Sequence, residues 1–314
     1  MIANLILSLV FLFVLIKGAG YSIKYSSRIA KDLRLPEFVV SFFIVAVISV
    51  LPETTISILS ALNGSPELGL GTLLGSNIMD LTFVFGIVSF FSSGGINVKS
   101  KILGNNFFYL ILLLAPVILG FDGNLSRIDG AILIALGIIF FIKIYLESRR
   151  FRKKFNYTRK YPLLKSSLYL VVSLGILLIG AFYTVKFAIN FASDSKVPEI
   201  LIGMTILALG TCLPELFFSI KAVKNNQDEL ALGDILGTVI TDATIVLGLV
   251  ALISPFSYNP LKMFMTGGIM FLVGALTILF MRTNKTLSKI EGLILILVYV
   301  LFVFAEFFVS SIIG

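Results

Sequence analysis

The sequence has little charge and no histidine, and both absences narrow the class of protein that it encodes. Of its 314 residues, 13% are charged and 58% are hydrophobic, and the mean hydropathy is +1.04. Soluble domains are about 45 to 50% apolar, so this composition excludes a soluble globular fold and predicts a polytopic protein in a lipid bilayer. Without histidine, a proton relay would have to run through carboxylates.

Cysteine is nearly absent as well. The single cysteine, Cys212, cannot form an internal disulfide. Together with the lack of histidine, it leaves zinc and copper without the ligands that they prefer. Because Glu53 has no nucleophile and base beside it and no zinc ligands are present, we do not expect an enzyme.

The net charge of +8 does not indicate a nucleic-acid-binding protein, because the basic residues lie between apolar segments and not in an aromatic-rich polar patch. Most Lys and Arg residues fall in connections on the side of the basic segment 148–163. The opposite side receives only Arg127, Lys186, Lys196 and Lys262. This asymmetry predicts a cell-membrane protein with that segment in the cytoplasm and both termini outside.

About 20 apolar residues are needed to cross a bilayer, and on that measure the sequence predicts ten spanning helices. The basic linker 148–163 divides the chain into two halves of five helices each, residues 1–147 and 164–314. We therefore expect an all-α polytopic fold. The predicted spans are 2–24, 38–62, 67–92, 104–121, 128–147, 164–191, 199–223, 229–253, 262–281 and 288–312.

An internal repeat is visible at a constant offset of 162 positions: Leu51-Pro52-Glu53 matches Leu213-Pro214-Glu215, and Asp80 matches Asp242. Because each half holds an odd number of spans, the second copy must enter the membrane upside down relative to the first. Ten helices as two inverted five-helix repeats is a plan of secondary transporters, whose binding sites lie near the bilayer midplane on interrupted helices.

Each half carries two acids inside apolar segments. An unpaired charge there costs roughly 2.5 to 3.5 kcal/mol or more, so such an acid indicates function by default. Each acid lies four residues after a hydroxyl, which places both side chains on one helical face. The four pairs are Ser49 with Glu53, Ser76 with Asp80, Thr211 with Glu215, and Thr238 with Asp242.

Pro52 and Pro214 add main-chain oxygens to this set, because a proline removes the helical partner of the carbonyl four residues earlier. The carbonyls concerned are those of Ile48 and Gly210. Carboxylate, hydroxyl and carbonyl oxygens form the donor set of hard cations such as Ca2+, which takes six to eight oxygens. The sequence therefore predicts a cation site between the two halves.

These residues resemble the alpha repeats of the cation/calcium exchanger superfamily, and Thr211-Cys212-Leu213-Pro214-Glu215 is most similar to the Gly-Thr-Ser-Leu-Pro-Glu signature of its sodium/calcium exchangers. The resemblance covers the whole chain. It implies alternate binding of Ca2+ and Na+ as transported ions, with no prosthetic group. Carried over by position, it implies the ligands Glu53, Glu215, Asp80, Asp242, Ser49, Thr211, Ser76 and Thr238, with the carbonyls of Ala46 and Ala208.

The sequence departs from the signature at two places. The first copy reads Ile48-Ser49-Val50 where the signature has Gly-Thr-Ser, and Asp80 stands where sodium/calcium exchangers often carry asparagine. A fourth acid favours extra cation or proton uptake, which leaves the counter-ion open.

The expected function is a monomeric antiporter that exports Ca2+ against an inward Na+ gradient by alternating access. Coupling to H+ or dependence on K+ is the nearest alternative, and a cation channel is a more distant one. Small residues on the first and sixth helices are expected to form smooth faces that slide past the site-bearing core; they are Gly18, Ala19, Gly20, Gly180 and Ala181.

Overall fold

A computed structural model of the chain describes residues 2–32, 49–98, 106–148, 162–226, 228–282 and 285–313. This part of the chain forms ten helical segments. Seven are uninterrupted: α1 is Ile2–Asp32, α2 is Leu51–Leu62, α4 is Asn106–Leu119, α5 is Arg127–Ser148, α6 is Leu163–Ser195, α9 is Pro260–Arg282 and α10 is Lys289–Ile313.

The other three segments change their helical winding along their length. Helix α3 consists of Pro66–Met79, a π-helical turn Asp80–Val84 and Phe85–Phe91. Helix α7 consists of Glu199–Ile202, a π-helical turn Gly203–Leu207, Ala208–Thr211 and, after a turn at Cys212, Leu213–Lys224. Helix α8 consists of Asp228–Thr241, a π-helical turn Asp242–Val246 and Leu247–Ile253.

The expected all-helical membrane fold is present. Seven of the described helices are long and apolar enough to cross a bilayer, namely α1, α3, α6, α7, α8, α9 and α10. In α1 the apolar span ends at Ser22, although the helix continues to Asp32, because backbone hydrogen bonding does not require an apolar sequence. The predicted spans 38–62 and 104–121 and the linker 148–163 lie partly outside the described residues.

The two prolines next to the site acids lie at helix interruptions, unlike Pro116, which lies inside α4. Pro52 stands in the first turn of α2 after a turn at Val50, and Pro214 in the first turn of Leu213–Lys224 after a turn at Cys212. A proline is tolerated in a first turn because its missing N–H would have no helical partner there. The interruptions therefore fall directly beside Glu53 and Glu215.

Helices α1 and α6 pack against each other through a glycine on each. A Cβ atom added at Gly18 would lie 2.6 Å from the Leu177 nitrogen, and one added at Gly180 would lie 2.6 Å from the Leu15 nitrogen. Of the small residues predicted to form faces toward the site-bearing core, Gly18 and Gly180 thus bring these two helices together, whereas a Cβ at Gly20 would meet nothing within 4 Å. The core is contacted elsewhere, where Gly210 of α7 meets the side chain of Leu12.

Two further helix pairs meet at glycines, and these two contacts are related by the same offset of 162 positions. Gly86 lies against Gly292, where an added Cβ would be 2.6 Å from the Gly292 oxygen. Gly130 lies against Gly248 at the same separation from the Gly248 oxygen. These contacts join α3 to α10 and α5 to α8 at backbone distance.

Two short antiparallel strand pairs lie in the connections between helices. Strand β1, Ile96–Asn97, pairs with β4, Thr286–Leu287. Strand β2, Asn124–Leu125, pairs with β3, Phe256–Ser257. Each pair therefore links a connection in the first half of the chain to one in the second half.

Candidate functional site

The predicted ligands that the structure describes lie in the interior of the bundle. Helices α2 and α3, with Ser49 just before α2, contribute those of the first half, and α7 and α8 contribute those of the second. All eight side chains have an exposed fraction of 0%; they are Ser49, Glu53, Ser76, Asp80, Thr211, Glu215, Thr238 and Asp242. The two halves thus bring their acids and hydroxyls to one buried region.

Hydroxyl groups connect the two halves across this region. The Ser49 Oγ lies 3.1 Å from the Thr238 Oγ1, and the Ser76 Oγ donates a hydrogen bond of 3.4 Å to the Asp242 carboxylate. The Cys212 thiol donates to the Ser76 carbonyl over 3.6 Å. Ser76 therefore meets the acid of α8, across the interface, in addition to sharing a helical face with Asp80.

The carboxylates lie close enough to repel one another. Glu53 acts electrostatically on Asp80, Glu215 and Asp242, and Asp80 acts on Glu215 and Asp242. The charged groups that act on Asp80, Glu215 and Asp242 are all carboxylates. Ionised together these acids repel one another, so the region favours a positively charged ligand.

Most oxygens of these carboxylates make no hydrogen bond. Both oxygens of Glu53, Asp80 and Glu215 and the Oδ1 of Asp242 are buried without a partner. Thr211 and Cys212 lie within interaction range of Glu53 and Asp80, respectively, without reaching hydrogen-bond geometry. Buried polar atoms nearly always have partners, so this concentration of unpartnered oxygens calls for a positively charged ligand.

Carboxylates alone do not form a metal centre in the described part of the chain. There, no group of three or more Asp, Glu or Cys side chains is arranged to hold one ion. Hydroxyl and carbonyl oxygens lie among the acids, and Ca2+ and Na+ accept all three kinds of oxygen.

The main-chain oxygens predicted as ligands are only partly described. The Ala208 carbonyl accepts hydrogen bonds from the Cys212 nitrogen at 3.1 Å and from the Thr211 hydroxyl at 3.2 Å. Ala46 and Ile48 lie outside the described residues.

Sequence reasoning missed one acid of this region, Asp234. It lies on α8, four residues before Thr238, and has an exposed fraction of 0%. Its Oδ1 accepts a hydrogen bond of 3.4 Å from Ser49, and its Oδ2 has no partner. The i, i+4 spacing to Thr238 was a usable signal, but a search for acids common to both halves passes over Asp234, because Thr72 occupies the matching position.

Comparisons with known proteins agree over nearly the whole chain. The family model described as sodium/calcium exchanger protein matches residues 3–146 and 165–308. The sodium/calcium exchanger MaX1 of Methanosarcina acetivorans is 26% identical over 98% of this chain and 99% of its own length. The putative antiporter CaxA of Alkalimonas amylolytica is 29% identical over 96% of this chain and 97% of its own.

Solved structures are similar as well. The sodium-calcium exchanger NCX_Mj soaked with 100 mM Na+ and 10 mM Sr2+ aligns with a TM-score of 0.69 and 25% identity, over 96% of this chain and 97% of that one. The same exchanger soaked with 2.5 mM Na+ and 0.1 mM Ca2+ aligns with a TM-score of 0.68 and 26% identity, over the same shares of both chains.

Proposed function

The chain belongs to the family of sodium/calcium exchanger proteins, and from this we propose that it exchanges Ca2+ for Na+ across the membrane by alternating access. Its resemblance to the cation/calcium exchanger superfamily is confirmed, and the family is one of transporters and not of enzymes. One observation carries the proposal: seven carboxylate oxygens of four acids are buried at the centre of the bundle without hydrogen-bond partners.

We propose that the chain is built from two inverted repeats, residues 1–147 and 164–314, joined by the linker 148–163. The paired glycine contacts at the 162-position offset support this, as do the π-helical turns that begin at Asp80 and at Asp242. Positive charge concentrated on the linker side supports a cytoplasmic linker and outside termini in the cell membrane. Because the site is assembled within one chain, a monomer suffices for transport.

The proposed ligands are the four acids Glu53, Asp80, Glu215 and Asp242, with the hydroxyls of Ser49, Ser76, Thr211 and Thr238 and the carbonyls of Ala46 and Ala208. Glu53 is central, because it acts electrostatically on the other three acids. An ion held by Glu53 and Glu215 excludes a second ion from the same oxygens, so Ca2+ and Na+ bind in turn and not together. That mutual exclusion is what couples the two gradients.

Alternating access requires part of the bundle to move past the site. Helices α1 and α6 are held to each other by the crossing at Gly18 and Gly180. The core helices are joined to each other by the glycine contacts and by both strand pairs. We propose that the α1 and α6 pair moves as one unit against this core and exposes the acids to one side at a time.

Asp80 favours a second candidate for the counter-ion. Both of its oxygens are buried without a partner, and it adds a negative charge where related exchangers often carry an amide. A proton or a potassium ion at Asp80 would neutralise that charge. The second candidate is therefore an H+-coupled or K+-dependent Ca2+ antiporter of the same fold.

Reconstituted vesicles test the proposal and separate the two candidates. We expect an imposed Na+ gradient to drive 45Ca2+ uptake against its own gradient, with no K+ present and pH equal on both sides. Uptake that is independent of Na+ and follows a pH gradient would indicate coupling to H+. Uptake that requires K+ would indicate dependence on K+. Single-channel currents would contradict an antiporter altogether.

A further inference from the structure

The polar residues of the site recur every four residues along four segments, two in each half of the chain. In one segment the residue types differ between the two halves. Helix α8 carries Asp234, Thr238 and Asp242, whereas the matching segment of α3 carries Thr72 in place of the first acid. The Thr72 hydroxyl is satisfied within its own helix, since it donates to the Leu68 carbonyl at 2.8 Å. The fifth buried acid therefore has no counterpart in the first half.

Asp234 lies toward one end of the bundle. It is six residues from Asp228 at the start of α8, which is about 9 Å along a helix at 1.5 Å per residue. Asp228 accepts hydrogen bonds from the backbone nitrogen and the side chain of Asn97, in β1, at 2.9 and 2.8 Å. Asp234 thus lies between the four-acid region and the end of the bundle where β1 pairs with β4, on the side of the linker.

Two buried polar atoms beside each other lack partners there. The Asp234 Oδ2 makes no hydrogen bond, and neither does the Oγ of Ser219 on α7, although both residues have an exposed fraction of 0%. The Ser219 hydroxyl lies within interaction range of the Asp234 carboxylate without reaching hydrogen-bond geometry. On the other side, Ser49 donates to the Asp234 Oδ1. The Asp234 carboxylate of α8, the Ser219 hydroxyl of α7 and the hydroxyl of Ser49, just before α2, therefore converge.

We propose that Asp234, Ser219 and Ser49 form a further cation site for one Na+ ion, which adjoins the four acids on the linker side. A single buried carboxylate is neutralised by a single positive charge, and hydroxyl oxygens complete the shell of a hard monovalent ion. The site rests on the proposed exchange function. Because the first half has Thr72 at the matching position, only the linker side carries it, and the antiporter binds one more Na+ than its four acids alone would hold.

Counting the bound ions tests this site. Equilibrium dialysis of the purified full chain with 22Na+ gives the number of Na+ ions bound at saturation, and we expect Asp234→Asn to bind one fewer than the wild type. A purely electrostatic role for Asp234 would change affinities and leave the saturating number unchanged, which would overturn the proposal. Glu306→Gln is the matched control: it neutralises an acid of α10 that accepts a hydrogen bond of 2.9 Å from Thr266, outside this region.

A second variant keeps the test decisive if Asp234→Asn does not fold. Ser219→Ala removes one oxygen and no charge, so we expect the Na+ concentration for half-saturation to rise about threefold to tenfold while the Kd for Ca2+ stays the same. Ser57→Ala is its control, since Ser57 matches Ser219 at the 162-position offset and its hydroxyl donates to the Gly69 carbonyl at 3.2 Å. Unchanged Na+ binding in Ser219→Ala would contradict the site.

The two proposals fail in different ways. A wild-type protein that binds no Na+ and shows no Na+-driven Ca2+ uptake overturns the exchange function itself. A wild type that exchanges normally, with Asp234→Asn binding the same number of Na+ ions, overturns only the further site.

Discussion

Replacing Glu53 by Gln should weaken Ca2+ binding and, at the same time, stabilise the ion-free protein. Both Glu53 oxygens are buried without hydrogen-bond partners, and the Glu53 charge repels Asp80, Glu215 and Asp242. Removing one member of a buried charge pair typically costs 2 to 5 kcal/mol, which corresponds to an affinity loss of about 30-fold to several thousand-fold at 1.4 kcal/mol per tenfold. Na+-driven Ca2+ exchange should fall below detection.

The stability of the ion-free protein should change in the opposite direction. An unpaired buried polar group costs about 1 to 3 kcal/mol, and more when it is charged. The amide of Gln can donate to the neighbouring carboxylates, so an attraction replaces a repulsion. We expect the free energy of unfolding of the ion-free protein to rise by about 1 to 3 kcal/mol.

Calorimetric titration with Ca2+ and thermal unfolding in a chelator measure the two effects on the same preparation. Glu306→Gln serves as the control for neutralising an acid in a spanning helix, and it should leave Ca2+ binding unchanged. If Glu53→Gln bound Ca2+ within about threefold of the wild type, or if its ion-free form were less stable, Glu53 would not be a cation ligand held under repulsion.

Three further predictions follow from the same contacts. Gly18→Ala should lower the free energy of unfolding by about 1 to 3 kcal/mol, measured by thermal unfolding, because its Cβ would lie 2.6 Å from the Leu177 nitrogen. Gly20→Ala is the control: its Cβ would have nothing within 4 Å, so the free energy of unfolding should not fall in this way. Asp80→Asn should retain Ca2+ exchange while losing any dependence on K+ or pH; flux assays that still showed that dependence would place the extra ion elsewhere. Ca2+ at about 100 times its Kd should raise the free energy of unfolding by about 2.7 kcal/mol, and a chelator should remove this gain; a protein equally stable with and without Ca2+ would contradict binding.

Features that depend on local sequence were predictable. A run of apolar residues has to be a helix in lipid, so the spans 67–92, 199–223 and 262–281 lie within a few residues of α3, α7 and α9. A proline lacks a backbone donor and favours the start of a helix, so the interruptions before Glu53 and Glu215 were expected, although Pro116 lies inside α4 without ending it.

Features that depend on which helices face each other were not predictable from the sequence. A small-residue face on α1 indicates that another backbone approaches closely, but it does not identify that backbone. In the structure, the backbone that approaches Gly18 is that of α6. One acceptor of the Ser76 hydroxyl, besides the Leu73 carbonyl of its own helix, is Asp242 on α8, 166 residues away in the chain. Asp234 was missed for the same reason, since its proposed role depends on Ser49, just before α2, and on Ser219 of α7.

The strand pairs at the ends of the bundle also bear on how the protein is made. Strand β1, complete at Asn97, has to wait for Thr286 and Leu287, which are synthesised only after α9. Strand β2 waits in the same way for Phe256 and Ser257. The end of the bundle that holds β1 and β4 is therefore closed only after α9 has been made, and a chain cut short after α8 would leave β1 without its partner.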